Sequence, residues 1–243
     1  MFRNIQSARA GTNTTTAAKQ SAQGTPLMSK IKIASIATLA SLAIAASAAD
    51  PSFGGWDVRL GIGLTPGVKQ VEVVGAGDNT FDFSASTSMQ WALGANYTYP
   101  IDANWGLVVG PNIIVSSASG DGEGDASSAK WTVASYGLEL VFGAAYKIDQ
   151  HWKLELTPFL GYGAATSTLE VGGNSEDSDS ISLTDYGIKF AGIYSFDNHI
   201  MLGADVGYKS WNTGAATFTD IDGNDFKASG SGATASIFVG YAF

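Results

Sequence analysis

The sequence contains no cysteine, and this absence excludes disulfide-stapled scaffolds, thiolate nucleophiles and cysteine-based zinc sites together. Charge is also scarce, because only 14% of the 243 residues are Asp, Glu, Lys or Arg. Residues 1–49 hold five Lys or Arg and no acid, so eight bases stand against all 22 acids in the remainder, a net charge of −14. A surface of this sign does not attract nucleic acid, so no nucleic-acid partner is expected.

The N-terminal residues have the features of an export signal. Met-Ser-Lys-Ile-Lys begins at Met28 and leads into an apolar stretch at 33–46, which is too short and too rich in Ser and Thr for a membrane helix. Small residues follow, so we predict a signal peptide over 28–49, cleaved after Ala48 or Ala49. The alternative is a retained membrane anchor. Residues 1–27 are predicted to be an extension. We favour Met28 as the true start of the protein, and the alternative is that residues 1–27 form a disordered extension.

Beyond residue 50, apolar residues recur at every second position rather than with the 3.6-residue period of a helix. In the first such segment, Trp56, Val58 and Leu60 alternate with Asp57 and Arg59. This alternation is typical of β-strands with one apolar face. It predicts eight strands, at 56–64, 89–99, 105–115, 136–146, 152–162, 186–196, 200–210 and 233–243.

A short turn occurs three times, with its Asp at residues 102, 149 and 197. Each copy closes an even-numbered strand, and the next strand opens directly after it, so the copies are predicted to be tight turns at one end of a sheet. The connections at the other end are long and polar, roughly 66–82, 116–130, 166–182 and 212–231. Both ends of the 50–243 domain then lie beside each other on the turn side. We therefore predict an all-β fold, a closed antiparallel up-and-down eight-stranded barrel.

The alternation alone does not tell whether the apolar face points outward, as in a transmembrane barrel, or inward, as in a soluble lipocalin-like carrier. Three features favour the transmembrane barrel. The polar face is crowded with glycine, which a narrow lumen needs for space. Short turns at one end and long loops at the other are typical of membrane barrels. Aromatic residues also cluster at the turn end, as a ring at a membrane interface would: Trp56, Tyr99, Trp105, Tyr146, Trp152, Tyr194 and Phe196.

Two segments resemble a known family. The C-terminal Gly-Tyr-Ala-Phe, with Val239, Tyr241 and Phe243 on one face, is similar to the signal by which Gram-negative outer-membrane barrels are recognised by the assembly machinery. The segment 158–163, Pro-Phe-Leu-Gly-Tyr-Gly, resembles a strand common in OmpA/OmpX-like and OmpW-like barrels. The resemblance covers about residues 50–243 and implies an outer-membrane location, with barrel-assembly machinery and periplasmic chaperones as partners during biogenesis. No peptidoglycan-binding domain follows, so the wall-anchoring role of larger relatives is not implied.

If the apolar face of each strand points outward, the residues at the alternate positions point into the lumen. Ionisable residues of both signs fall on this face: Arg59, Glu139, Lys153, Glu155, Asp185, Lys189, Asp205 and Lys209. Because an isolated buried ion is unfavourable, we expect these residues to form a structural plug of ion pairs. A gated or leaky ion path is the alternative. Pro111 and Pro158 lie within predicted strands, where their matched spacing suggests a bulge or kink in neighbouring hairpins.

The remaining candidate sites carry weak signals. Acidic residues of the long connections offer oxygen ligands for calcium or magnesium, without the order of an EF-hand loop: Asp121, Glu123, Asp125, Asp220, Asp222 and Asp225. The two histidines, His151 and His199, lie in short turns, where turn chemistry explains them better than a metal site. We therefore expect no cofactor and no enzymatic activity.

The sequence favours a monomeric barrel with acidic outer loops, a sealed lumen, a structural or surface-interaction role, and contacts with outer-membrane lipid and lipopolysaccharide. The alternatives are a narrow transporter of ions or small hydrophobic compounds, as the resemblance to OmpW-like barrels implies, and the soluble carrier.

Overall fold

A computed structural model describes residues 53–74, 80–86, 88–218 and 225–243. The predicted extension and signal peptide, residues 1–49, lie outside these described residues. Twelve strands and one 3₁₀ helix, Gly124–Ala126, occur in the described part. The strands are β1 (Gly55–Thr65), β2 (Gln70–Val74), β3 (Thr80–Ala85), β4 (Ser88–Pro100), β5 (Trp105–Gly122), β6 (Ala129–Lys147), β7 (Trp152–Val171), β8 (Asn174–Asp177), β9 (Ile181–Ser195), β10 (Ile200–Thr213), β11 (Ala216–Thr217) and β12 (Asp225–Ala242). Within the same ranges, no helix has the length and hydropathy needed to span a membrane.

Eight long strands pair in a ring, and every pairing is antiparallel. The order is β1, β4, β5, β6, β7, β9, β10 and β12. Strand β12 then pairs with β1, with Leu60 opposite Val239, and the backbone N–H of Phe243 donates to the carbonyl of Trp56 at 2.8 Å. The first and last strands therefore meet at the turn end. The predicted eight-stranded up-and-down barrel is confirmed.

The apolar face of the ring points outward, as the transmembrane prediction requires. Leu107, Leu140 and Val206 have 52%, 55% and 59% of their surface exposed. By contrast, the side chains of Arg59 and Glu155, on the opposite parity, are only 12% and 2% exposed. Apolar side chains of this size gain free energy in lipid rather than in water. This polarity excludes the soluble carrier, whose greasy side chains would line the interior.

The two strand prolines interrupt the ladder without shifting its register. Opposite Pro111, the pairing of β4 and β5 lapses between Gly94 and Tyr97 and resumes in the same register. The β6–β7 ladder lapses likewise opposite Pro158 and resumes unshifted. Of the expected bulge or kink, the bulge is wrong, because no extra residue is inserted, and the kink stays a prediction. Each proline simply lacks the N–H that the ladder would use there.

The long connections contain more regular structure than the sequence predicted. Strands β5, β6, β7 and β12 continue several residues beyond the predicted strand ends, into the segments expected to be loops. Strands β2 and β3 form a hairpin between β12 and β5, above the ends of the shorter β1 and β4. Backbone groups beyond the bilayer are therefore paired in a sheet that continues the barrel wall. Composition missed this because the segments are rich in Gly, Ser and Asp, which are depleted in strands.

Candidate functional site

The turn-side half of the lumen holds a compact cluster of four charges, which we call the turn-side ion layer: Asp57, Arg59, Lys153 and Glu155. Strands β1 and β7 supply two residues each, at inward positions two apart. The Arg59 guanidinium donates to both Glu155 oxygens, at 2.6 and 2.8 Å, and to both Asp57 oxygens, at 2.7 and 2.8 Å. Lys153 Nζ lies 2.9 Å from Glu155 and 3.7 Å from Asp57. Two cations and two carboxylates therefore neutralise each other across the lumen.

Asp57 was absent from the predicted set, although it shares the parity of Arg59. It lies at the start of β1 and is almost fully buried. Asp57 accepts two hydrogen bonds from the Arg59 guanidinium, which donates two more to Glu155. Paired charge-assisted bonds of this geometry are among the stronger ones in proteins and hold the guanidinium plane in one orientation.

Nearer the long loops lies a second cluster, the loop-side ion layer: Glu139, Asp185, Lys189 and Lys209. Glu139 of β6 is 1% exposed and accepts bonds from Lys189 and Lys209, both at 2.8 Å. Lys209 also pairs with Asp185 and donates to Gln90 at 3.1 Å. Lys189 Nζ lies 4.4 Å from the centre of the Phe159 ring, so an aromatic face supports the ammonium as well.

Asp205, the remaining predicted lumen residue, belongs to neither layer. The Ser236 hydroxyl of the neighbouring strand donates to its carboxylate. Asp205 lines a cavity of about 70 Å³ whose wall also includes Arg59 and Glu155 of one layer and Lys189 of the other. The cavity therefore lies between the two layers.

A third barrier, which sequence reasoning missed, closes the loop end of the barrel. We call it the outer apolar cluster: Phe83, Trp131, Phe218 and Phe226. The Trp131 ring is 1% exposed and lies 5.3 Å from Phe218, 5.8 Å from Phe226 and 6.4 Å from Phe83, measured between ring centres. The sequence of β6 does indicate this cluster, because Trp131 and Val133 lie at the same alternate, inward-pointing positions as Glu139. The interior beyond the charged region is thus apolar, rather than polar throughout as predicted.

Aromatic side chains surround both ends of the lipid-facing wall. At the turn end, ring centres lie 4.9 Å apart for Trp105 and Tyr146 and 5.1 Å apart for Trp152 and Tyr194. A second exposed belt, which the sequence analysis did not identify, lies towards the long loops: Trp91, Tyr136, Tyr162, Tyr186 and Tyr208. Trp152 and Tyr162 are ten residues apart on β7, which at about 3.3 Å per residue and a tilt of about 40° spans about 25 Å. That height matches the apolar band of a membrane barrel.

Two of the repeated turns are closed by their Asp, and the third is closed differently. Asp102 accepts backbone bonds from Asn104 and Trp105, at 2.8 and 2.7 Å, and these bonds hold the pKa of its carboxyl below the ordinary value. Asp149 does the same with His151 and Trp152, with the same effect on its pKa. In the third copy, Asn198 accepts from Ile200 instead, and Asp197 points into solvent.

The two histidines occupy equivalent places in neighbouring turns, where their backbone carbonyls join one hairpin to the next. His151 accepts from the N–H of Ser195 at 2.8 Å, and His199 accepts from Ala242 at 2.9 Å. The His151 ring packs on Tyr194 and the His199 ring stacks on Tyr241. Across the part of the chain that the structure describes, no three His, Asp or Glu residues are grouped as metal ligands.

The acidic candidates of the long connections are scattered. Asp121 is the last but one residue of β5 and lies opposite Lys130, and Glu123 precedes the 3₁₀ helix. Asp225 opens β12 and accepts a bond from Thr217. Asp220 and Asp222 lie outside the described residues, as does the side chain of Asp125. The described members therefore stand in three different local settings.

The chain matches one protein family and resembles several solved structures. The family described as outer membrane protein beta-barrel domain matches residues 35–243. Among solved structures, Ail, the attachment invasion locus protein of Yersinia pestis, is 18% identical, with 79% of this chain and 99% of that chain covered and a TM-score of 0.35. OprG from Pseudomonas aeruginosa is 15% identical, with 79% and 97% covered and a TM-score of 0.44. The outer membrane protease OmpT from Escherichia coli is 10% identical, with 77% and 96% covered and a TM-score of 0.44. No protein of curated function matches the chain.

Proposed function

The chain belongs to the outer membrane protein beta-barrel domain family, a family of the cell outer membrane, and from that premise we propose that it is a non-enzymatic barrel with a sealed lumen that serves a structural or surface-interaction role. The observation that carries the proposal is that three barriers follow one another along the barrel axis. The turn-side ion layer, the loop-side ion layer and the outer apolar cluster each bring side chains together across the interior.

The charges in the two layers support a plug rather than a path. A permeating ion needs binding groups that are free to exchange partners. Here Glu139 and Glu155 are 1% and 2% exposed, and each is held by two cations. Moving any of these side chains aside would leave a charge buried without its partner, which is strongly unfavourable. An eight-stranded barrel offers little spare width for such a movement.

The ion pairs of these charged residues also argue against catalysis in the lumen. A general acid or base has to reach a substrate proton, and a nucleophile needs a base beside it. The carboxylates of the two ion layers are occupied by Lys or Arg, while His151 and His199 lie at the turn end and join hairpins. These contacts give the charged residues a structural role.

We assign the interactions of the protein to its two rims and its wall. The aromatic belts and the apolar face contact outer-membrane lipid. The sheet beyond the loop-side belt presents exposed acids, among them Asp121 and Glu170, to the exterior. Divalent cations bound to lipopolysaccharide bridge its anionic groups to these acidic side chains.

At the turn end, Val239, Tyr241 and Phe243 serve as the signal for the assembly machinery, with periplasmic chaperones as earlier partners. The closed ring acts as a monomer.

Planar-bilayer recording of refolded protein tests the sealed lumen. The unmodified barrel is expected to insert without discrete conductance steps. A variant with Arg59, Glu155, Glu139, Lys209 and Trp131 all changed to Ser opens all three barriers, so it is expected to conduct if it folds, and its conductance shows that insertion took place.

The opposite result supports a narrow pore. Steps of conductance from the unmodified protein that vanish in Glu139→Gln or Lys189→Met would overturn the plug, because they would place the same charges on a conducting path. Heat-modifiable migration on gels reports in each case whether the variant is folded.

A further inference from the structure

A side chain that precedes the strands enters the turn end of the lumen. Phe53 lies two residues before β1, yet it is only 6% exposed. Its ring packs with two inward-facing wall residues, Val108 of β5 and Ala145 of β6. A methyl group added to Gly106 would lie 3.3 Å from the Cζ atom of this ring, so Phe53 lies directly against the wall. Residues 53–55, which we call the N-terminal arm, therefore turn back into the barrel.

The N-terminal arm turns at Gly55, the first residue of β1. Gly55 has a φ of 104°, in a region of backbone conformation that residues with a side chain rarely adopt. The same residue pairs with Thr98 in the β1–β4 ladder, so the turn is fixed to the barrel wall. The reversal at this glycine allows Phe53 to lie in the lumen instead of continuing the line of β1 beyond the barrel.

Phe53 packs on wall positions that adjoin the turn-side ion layer. Ala145 is the ladder partner of Glu155, a carboxylate of that layer. Val108 is the ladder partner of Thr98, whose hydroxyl accepts a hydrogen bond from a lysine of the same layer at 3.5 Å. The Phe53 ring therefore fills the lumen beside the ion pairs, at the end where the barrel opens towards the turns.

The ring also lies near the cation at the end of β6. Lys147 and Lys153 are directly opposite each other in the β6–β7 ladder, an arrangement in which like charges destabilise a sheet. Lys147 Nζ lies 5.9 Å from the centre of the Phe53 ring, within the range at which an aromatic face attracts an ammonium group. Phe53 therefore gives the Lys147 ammonium a favourable position outside the ion layer.

We propose that Phe53 is a lid, which keeps water at the turn end away from the turn-side ion layer. Exclusion of water strengthens the ion pairs, because it lowers the effective dielectric constant around them. Residues 53 and 54 precede β1, so the lid can open without breaking the strand ladders of the ring. The strands β9, β10 and β12 supply buried apolar side chains on the other side of the lumen: Ala191, Ile193, Met201, Phe238 and Ala242.

Labelling of a single reporter thiol tests the lid, because the chain has no cysteine of its own. Val108→Cys places the thiol beneath Phe53, at a site that is 2% exposed. In refolded protein in micelles, we expect a water-soluble methanethiosulfonate reagent to label this thiol slowly. Addition of Phe53→Ala is expected to raise the labelling rate at least about tenfold, because the thiol then reacts without a local opening. Phe196→Ala is the matched control: this phenylalanine lies at the same end, is exposed on the outer face, and should leave the rate unchanged.

Two further variants keep the proposal testable if Phe53→Ala does not fold, which heat-modifiable migration on gels reports. Phe53→Leu keeps an apolar side chain in the arm and should retain most of the protection. Gly55→Ala leaves Phe53 in place but strains the turn that returns the arm, so it should speed labelling as Phe53→Ala does.

The lid is overturned if the reporter thiol is labelled rapidly in the otherwise unmodified protein. It is also overturned if Phe53→Ala, or Gly55→Ala where Phe53→Ala does not fold, labels no faster than Phe196→Ala. The lid adds to the sealed lumen proposed above, and the two fail separately. A barrel that does not conduct but fails this test keeps its seal and loses the lid, whereas a conducting barrel that passes it keeps the lid and loses the seal.

Discussion

Replacement of Glu155 by Gln tests the central energetic argument, that the turn-side ion layer is held by mutual neutralisation. The substitution keeps the size of the side chain and removes its charge. Glu155 is 2% exposed and accepts from Arg59 at 2.6 and 2.8 Å and from Lys153 at 2.9 Å. After the change, two cations share the single carboxylate of Asp57. Removing one partner of a buried pair destabilises proteins by about 3–5 kcal/mol, so we expect a loss of this size in the free energy of unfolding.

Equilibrium unfolding by guanidinium chloride in micelles, followed by tryptophan fluorescence, measures this loss. Glu170→Gln is the matched control, since Glu170 lies on the same strand, is exposed and is expected to change stability by less than about 0.5 kcal/mol. The double variant Arg59→Met with Glu155→Gln restores neutrality, with Asp57 and Lys153 remaining. It should therefore be less destabilised than the sum of the two single variants.

The reasoning is refuted if Glu155→Gln is no more destabilising than Glu170→Gln, or if the losses of the single variants simply add. Either result would mean that water or lumen rearrangement compensates the unpaired Arg59 and Lys153 charges. The ion layer would then be a solvated feature of the lumen rather than a seal.

Two further predictions concern the turns and the glycine-lined wall. Because the pKa values of Asp102 and Asp149 are lowered, the contribution of these carboxylates to stability is present above the ordinary Asp pKa of 3.8 and is lost as pH falls through the lowered pKa. Titration of the two carboxyl groups by NMR should give midpoints below 3.8 for both. A midpoint at or above 3.8 would contradict the backbone hydrogen bonds described for them. Gly143→Ala is expected to destabilise the barrel by about 1–3 kcal/mol, because the added methyl would collide with the Leu156 carbonyl oxygen across the β6–β7 ladder. Gly192→Ala, at a site with open space, is its control, and equal effects of the two substitutions would refute the steric argument.

Much of the barrel was predictable because its strands are governed by local rules. Alternation identified the eight ring strands, and the repeated Asp turns identified the end at which they reverse. The same alternation placed Arg59, Glu139, Glu155 and Lys209 on one face, since side chains of a strand point to opposite sides in turn. The wall extensions escaped prediction because their polar composition resembles loops, and only pairing with neighbouring strands makes them regular.

The sequence by itself determined the parity of every strand, and with it which side chains face lipid and which face the lumen, because parity is a property of each strand alone. Only the tertiary structure decided which lumen residues meet. Arg59 reaches Glu155 across 96 residues of chain, and Lys209 reaches Glu139 across 70. These partners depend on the register of every pair around the ring and on the stagger with which the ring closes, since both set the height of each side chain along the axis. That geometry divides the charges into two neutral layers and leaves Asp205 facing the cavity between them.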